Sequence, residues 1–101
     1  MGALDQFLVT DRVAIVTGAG RGIGAAIAKT YAEAGGDVVL SARTEEQLQE
    51  VAGEIEAMGR RAVLVPADLN DTENLGVLVE RAMEEFGRVD TVVNNVGGTM
   101  P

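Results

Sequence analysis

Residues 13–24 read Val13-Ala14-Ile15-Val16-Thr17-Gly18-Ala19-Gly20-Arg21-Gly22-Ile23-Gly24. A short β-branched run breaks into glycines and passes straight into an apolar helical spacing, Ile23, Ile27, Tyr31 and Ala34, so strand, turn and helix follow without a linker. Such a turn suits a pyrophosphate. Glycines let the backbone bend tightly and come close to the ligand, and free amides at the helix start aim partial positive charge at it. The pattern G-x-G-x-x-G is met loosely, through Gly20, Gly22 and Ala25, whereas T-G-x-x-x-G-x-G is filled by Thr17, Gly18, Gly22 and Gly24. Taken alone, the stretch also reads as a glycine-rich connector, and its surroundings decide between the two.

Downstream the unit repeats. Gly35 and Gly36 supply the positive-φ stop of the first helix, and Val38 to Ser41 reads as a second buried strand of the parallel type. Thr44 and Gln47 form a capping-box pattern. They open a second helix with Leu48, Val51, Ala52, Ile55 and Met58 on one face, before Gly59 ends it. Val63 to Val65 makes a third strand. Asp71 is placed to cap a third helix that carries Leu75, Leu78, Val79, Ala82, Met83 and Phe86 and stops at Gly87, after which Val89 to Asn94 forms a fourth strand. Each crossover helix must return the chain to the same end of the sheet, and right-handed crossovers put helices on both faces. The prediction is therefore an α/β, partial doubly wound Rossmann-type fold in three layers, with four parallel strands in the order 3-2-1-4 and three crossover helices. Ligands bind such sheets beyond the carboxyl ends of the strands, where the strand order reverses, here between the first and fourth.

The turn Thr17 to Gly24, the pair Asp68-Leu69 after the third strand, and Val89-Asp90-Thr91-Val92-Val93-Asn94-Asn95-Val96-Gly97 fall in one register. Together they resemble the short-chain dehydrogenase/reductase family, whose fourth strand ends in N-N-A-G; Val96 here replaces the alanine. The likeness covers nearly the whole chain and implies a single, truncated dinucleotide-binding domain over residues 1–101. It further implies that Gly18, Gly20, Arg21, Gly22, Ile23 and Gly24 line the pyrophosphate and adjacent ribose. Asp68 and Leu69 would hold the adenine edge, and Asn95, Val96 and Gly97 would flank the nicotinamide-side ribose, whereas Asn94 would tie neighbouring strands together. Read alone, Asp68 is equally a helix-approach residue.

Cofactor choice follows from charge. An acid at the end of the second strand accepts hydrogen bonds from a ribose 2′-hydroxyl and repels a 2′-phosphate. That position is Ala42, and Arg43 follows it with a guanidinium able to pair a phosphate, with Arg21 close by in the turn. NADP(H) is the expected cofactor, with NAD(H) the alternative. Asp37 does not supply the missing acid, because it starts the second strand and so stands at the wrong end of the sheet. Arg43 taken singly also reads as a helix-start residue paired with Glu45 or Glu46.

Family members interconvert ketone and secondary alcohol by hydride transfer, using a Tyr-x-x-x-Lys pair, a serine and an asparagine. The only tyrosine, lysine and serine here are Tyr31, Lys29 and Ser41, and Lys29 precedes Tyr31 by two residues instead of following it by four. No catalytic residue is therefore assigned, and the chain alone is expected to be inactive. The alternative reading is a non-catalytic nucleotide-binding or interaction fragment.

Composition bounds the rest. In 101 residues, 16 acids against 8 bases give a formal charge of -8, which repels the phosphate backbone and argues against nucleic acid and acidic membranes. Without cysteine or histidine, disulfides, thiolate nucleophiles, imidazole catalysis and the usual zinc ligands are excluded, so no metal is expected. Met1 to Thr10 lacks a basic start with an apolar run, and Gln6 breaks a myristoylation match, so a cytoplasmic protein is expected. The uncovered flank of the fourth strand predicts either a homo-oligomer or association with a complementary chain segment.

Overall fold

The computed structural model describes residues 10–20, 22–66 and 72–94, the side chains of residues 72–74 excepted. Its elements run β1 (Val13–Thr17), α1 (Gly22–Glu33), β2 (Asp37–Ala42), α2 (Glu45–Ala57), β3 (Ala62–Pro66), α3 (Thr72–Phe86) and β4 (Thr91–Val93). All neighbouring strands pair in parallel, in the order β3-β2-β1-β4. That is the predicted order. The strand limits differ slightly: β2 and β3 are longer at both ends than their apolar runs, and β4 shrinks to three residues because Val89 and Asp90 precede the ladder.

Period-two alternation divides the core between the two faces. Ala14, Val16, Val38 and Leu40 pack with the buried faces of α1 and α2, while Val13, Ile15, Val39, Val63 and Val65 pack with Leu78 and Ala82 of α3. In register, Ile15 stands beside Val39 and Val39 beside Val63, so one apolar row crosses three strands on the α3 side. Helices on both faces of a parallel sheet require strands that are apolar in both directions, and β1 is buried at every position.

Two helix faces depart from the sequence reading. In α1 the buried residues are Gly24, Ala25, Ala28 and Ala32; Ile27 and Tyr31 are half-buried, and Ile23 is 71 % exposed. The small residues win because they let the α1 backbone approach the sheet and α2 closely, where an isoleucine stripe would hold it away. Among the described side chains of α3 only Leu78 and Ala82 are fully buried, with Phe86 packed partly against the same cluster; Leu75, Val79 and Met83 are exposed. The face of α2 is as read, Leu48, Val51, Ala52 and Ile55, except that Met58 becomes the half-open C-cap.

The amino ends of the strands are tied by ions. Asp37 receives both Nε and Nη2 of Arg60 at 3.1 Å and the Arg61 amide at 2.9 Å, joining the start of β2 to the entry of β3. Asp11, held at φ +62, adds a longer contact to Arg60. These hydrogen bonds, from Asp37 first and then Asp11, hold the Arg60 guanidinium above its ordinary pKa. At β4, Asp90 Oδ2 accepts from the Val13 amide at 2.8 Å while Arg88 grips both carboxylate oxygens at 2.7 Å.

Candidate functional site

At the opposite, carboxyl end of the sheet, β1 runs through Thr17 into the glycine turn and then directly into α1. The turn is fixed from beneath: the Ala19 amide donates to the Ser41 carbonyl at 3.0 Å, and Ala19 is fully buried. Gly18 and Gly22 both adopt the left-handed region, at φ +61 and +63, where a side chain is strained. A Cβ added to Gly22 would meet nothing within 4 Å among the described residues, so its demand is conformational. Gly20 is the reverse case. Its φ is not positive, but a Cβ there would stand 2.8 Å from Gln47 Oε1 and 3.0 Å from Gln47 Cβ.

Gln47 was read as half of a capping box with Thr44, and this is corrected. Thr44 is the N-cap of α2, in extended conformation, but its side chain makes no cap hydrogen bond, and the Gln47 side chain lies against Gly20. The first turn of α2 is closed by the backbone instead, Leu48 amide to Thr44 carbonyl at 3.2 Å. Sequence reading missed Gln47 as a neighbour of the turn because the capping pattern accounted for it locally.

The strand-order reversal lies between β1 and β4, and it is bridged by Thr17. Its buried hydroxyl is 3.0 Å from Asn94 Oδ1 and 3.3 Å from the Val93 carbonyl, so Asn94 joins neighbouring strands as expected. Ile23 and Gly24 open α1, Ile23 exposed and Gly24 buried. Arg43 follows β2 as an exposed residue, and among the described residues no ion pair joins it to Glu45 or Glu46. Asp37 is at the far end of β2, on Arg60. Arg21, Asp68, Leu69, Asn95, Val96 and Gly97, and the proposed cap Asp71, lie outside the described residues.

The single serine, lysine and tyrosine of the chain sit in structural surroundings. Ser41 Oγ donates to the Val65 carbonyl at 2.8 Å, Lys29 Nζ pairs with Glu54 at 3.3 Å, and the Tyr31 hydroxyl is buried without a hydrogen-bond partner among the described residues. Titration is displaced in structural groups: the Arg88 guanidinium, then the Val13 amide, holds the Asp90 carboxyl below the usual carboxylate range, and Asp90 in turn raises Arg88. Among the described residues, no cluster of three or more Asp or Glu could hold a metal, and no helix is long and apolar enough to cross a membrane.

The family model for short chain dehydrogenase matches residues 12–101. The chain belongs to that family. It is 53 % identical over 98 residues to an uncharacterized oxidoreductase of Mycobacterium tuberculosis, a match that takes in 97 % of this chain and 37 % of the relative. Its fold is similar to that of a hydroxysteroid dehydrogenase from Escherichia coli, with TM-score 0.89 and 38 % identity over 96 % of this chain and 41 % of that one. Carveol dehydrogenase from Mycobacterium avium, solved in complex with NAD, matches with TM-score 0.82 and 32 % identity over 88 % of this chain and 36 % of that one. The short-chain dehydrogenase family uses NAD(P), and this member spans less than half the length of the relatives it matches.

Proposed function

We propose that the chain is the NADP(H)-binding segment of a short-chain dehydrogenase/reductase that interconverts a ketone and a secondary alcohol, and that residues 1–101 form its dinucleotide-binding domain. The observation that carries this is the glycine turn at the carboxyl end of β1, beside the strand-order reversal, with a helix start immediately behind it. The cradle fits the group. Gly18 and Gly22 adopt a backbone that favours glycine, the flank of Gly22 is open among the described residues, and Ile23 leaves an apolar side chain exposed beside it. Gly18, Gly20, Arg21, Gly22, Ile23 and Gly24 would bind the pyrophosphate and its ribose, Asp68 and Leu69 the adenine, and Asn95, Val96 and Gly97 the second ribose.

Preference for NADP(H) rests on Ala42, which offers no carboxylate to a 2′-hydroxyl, and on the exposed Arg43 beside it, which forms no ion pair among the described residues and offers two hydrogen bonds to a 2′-phosphate. The bound nicotinamide would supply hydride to the carbonyl carbon. This chain's residues would hold the dinucleotide and set its orientation. Turnover by these residues alone is not expected: Tyr31 packs against the core cluster, Lys29 pairs with Glu54 and Ser41 bonds the neighbouring strand. A cytoplasmic location belongs to the same reading, and association with a second copy or a complementary segment would cover the exposed residues of α3 and β4.

The test is a titration of the purified chain with NADPH and NADH, followed by cofactor fluorescence and thermal stability at fixed salt. NADPH is expected to bind more tightly and raise Tm further, and Arg43→Ala should weaken NADPH selectively by about tenfold, the loss of one charge-assisted hydrogen-bonded contact. Binding of neither cofactor, or preference for NADH, overturns the reading or its choice of cofactor respectively.

A further inference from the structure

Three elements converge on one point at the glycine turn. From the position a Gly20 Cβ would take, Gln47 Oε1 is 2.8 Å away, Gln47 Cβ 3.0 Å and Ala42 Cβ 3.5 Å. Gly20 belongs to the turn, Ala42 ends β2, and Gln47 lies in the first turn of α2. Ala42 is the position from which an acid, where one is present, would reach the 2′-substituent of the adenosine ribose. Here that position carries only a methyl group, and the Gln47 side chain, half-buried, brings a carboxamide to the same junction.

We infer that Gln47 is a specificity-determining residue of the dinucleotide site, one whose neutral carboxamide stands in for the missing strand-end acid and admits a 2′-phosphate. The inference rests on the cofactor reading above. A carboxamide supplies two N–H donors and an acceptor without net charge. Its donors can face a phosphate that Arg43 also pairs, and it brings none of the repulsion that a carboxylate would. The same contact explains why residue 20 is small although its φ does not call for glycine: Gln47 fills the space that a side chain would need.

Gln47→Glu tests this with nearly unchanged shape. A carboxylate in the first turn of a helix is favoured by the macrodipole, so the variant is expected to fold as the parent does. An added negative charge about 4 Å from a phosphate in a water-like medium weakens binding roughly fivefold per phosphate charge. NADPH should therefore lose about fivefold or more while NADH holds its affinity or gains. Gln47→Leu, which keeps bulk but removes the polar head, should lose part of the NADPH preference in parallel and carries the test if the first variant melts non-cooperatively. Gln49→Glu adds the same charge on an exposed position that contacts Glu45, and should leave the NADPH-to-NADH ratio unchanged within about twofold.

If the parent binds NADPH and Gln47→Glu leaves the ratio where it was, or Gln49→Glu moves it equally, the role of Gln47 falls while the cofactor reading stands. Should the parent bind neither dinucleotide, both fall together.

Discussion

Asp90 shows how much of this fold is held by single side chains at the sheet's amino end. Its carboxylate takes the Val13 amide and both donating nitrogens of Arg88, so the ionised form is favoured in the folded chain and its pKa is depressed. The sign follows: a depressed carboxylate contributes stability that is fully present above its unfolded pKa, about 3.9, and lost as pH falls through the lower folded value. Urea unfolding of the parent and of Asp90→Asn from pH 7 to pH 2.5 should give a gap that is widest near neutrality and narrows below about pH 4. A pH-independent gap would mean that packing, not charge, holds β4. At this scale the sequence was only partly legible. Gly18 and Gly22 announced themselves as turn residues, and Asn94 as a strand tie. Gln47 did not, because a side chain in a capping pattern has two destinations and only the tertiary contact with Gly20 selects one.

Elements were more legible than the faces they bury. Strand alternation and helix stops came through because apolar runs and positive-φ glycines act locally: Gly35, Gly59 and Gly87 all take the left-handed conformation just past a helix, whereas Gly36, read with Gly35 as the first stop, does not. In α1 two stripes satisfy the same helical period, and the one buried is the smaller, a choice made by how closely the helix must approach the sheet. Two helical glycines have no such reason. Gly53 in α2 and Gly76 in α3 are exposed, and a Cβ at either would meet nothing within 4 Å among the described residues. Their replacement by alanine removes backbone freedom from the unfolded chain without strain in the folded one, so each should stabilise by about 0.5–1 kcal/mol. Chemical denaturation checks this, and a loss of stability at Gly53 would point to a partner pressing on that face of α2.

The whole molecule is asymmetric in what it covers. On the side of the sheet that faces α3, Ile15 of β1 is fully buried, while its register partner on β4, Val92, is 46 % exposed. In α3, Leu75, Val77, Val79 and Met83 are also exposed, and β4 ends the described sheet with one edge unpaired. An apolar flank beside an open strand edge is the usual surface for association. The relatives matched are more than twice as long, which is room enough for a further element to lie there. The isolated 101-residue chain should therefore self-associate, with sedimentation velocity showing a concentration-dependent shift from monomer to larger species. The double variant Val79→Lys and Met83→Lys should move the chain toward monomer, because two charges on that flank must be desolvated for any contact to form. Neither substitution touches the glycine turn, so NADPH affinity should persist in the variant. A chain that is monomeric at every concentration would place these apolar residues among the scattered exposed hydrophobics that any small fold carries.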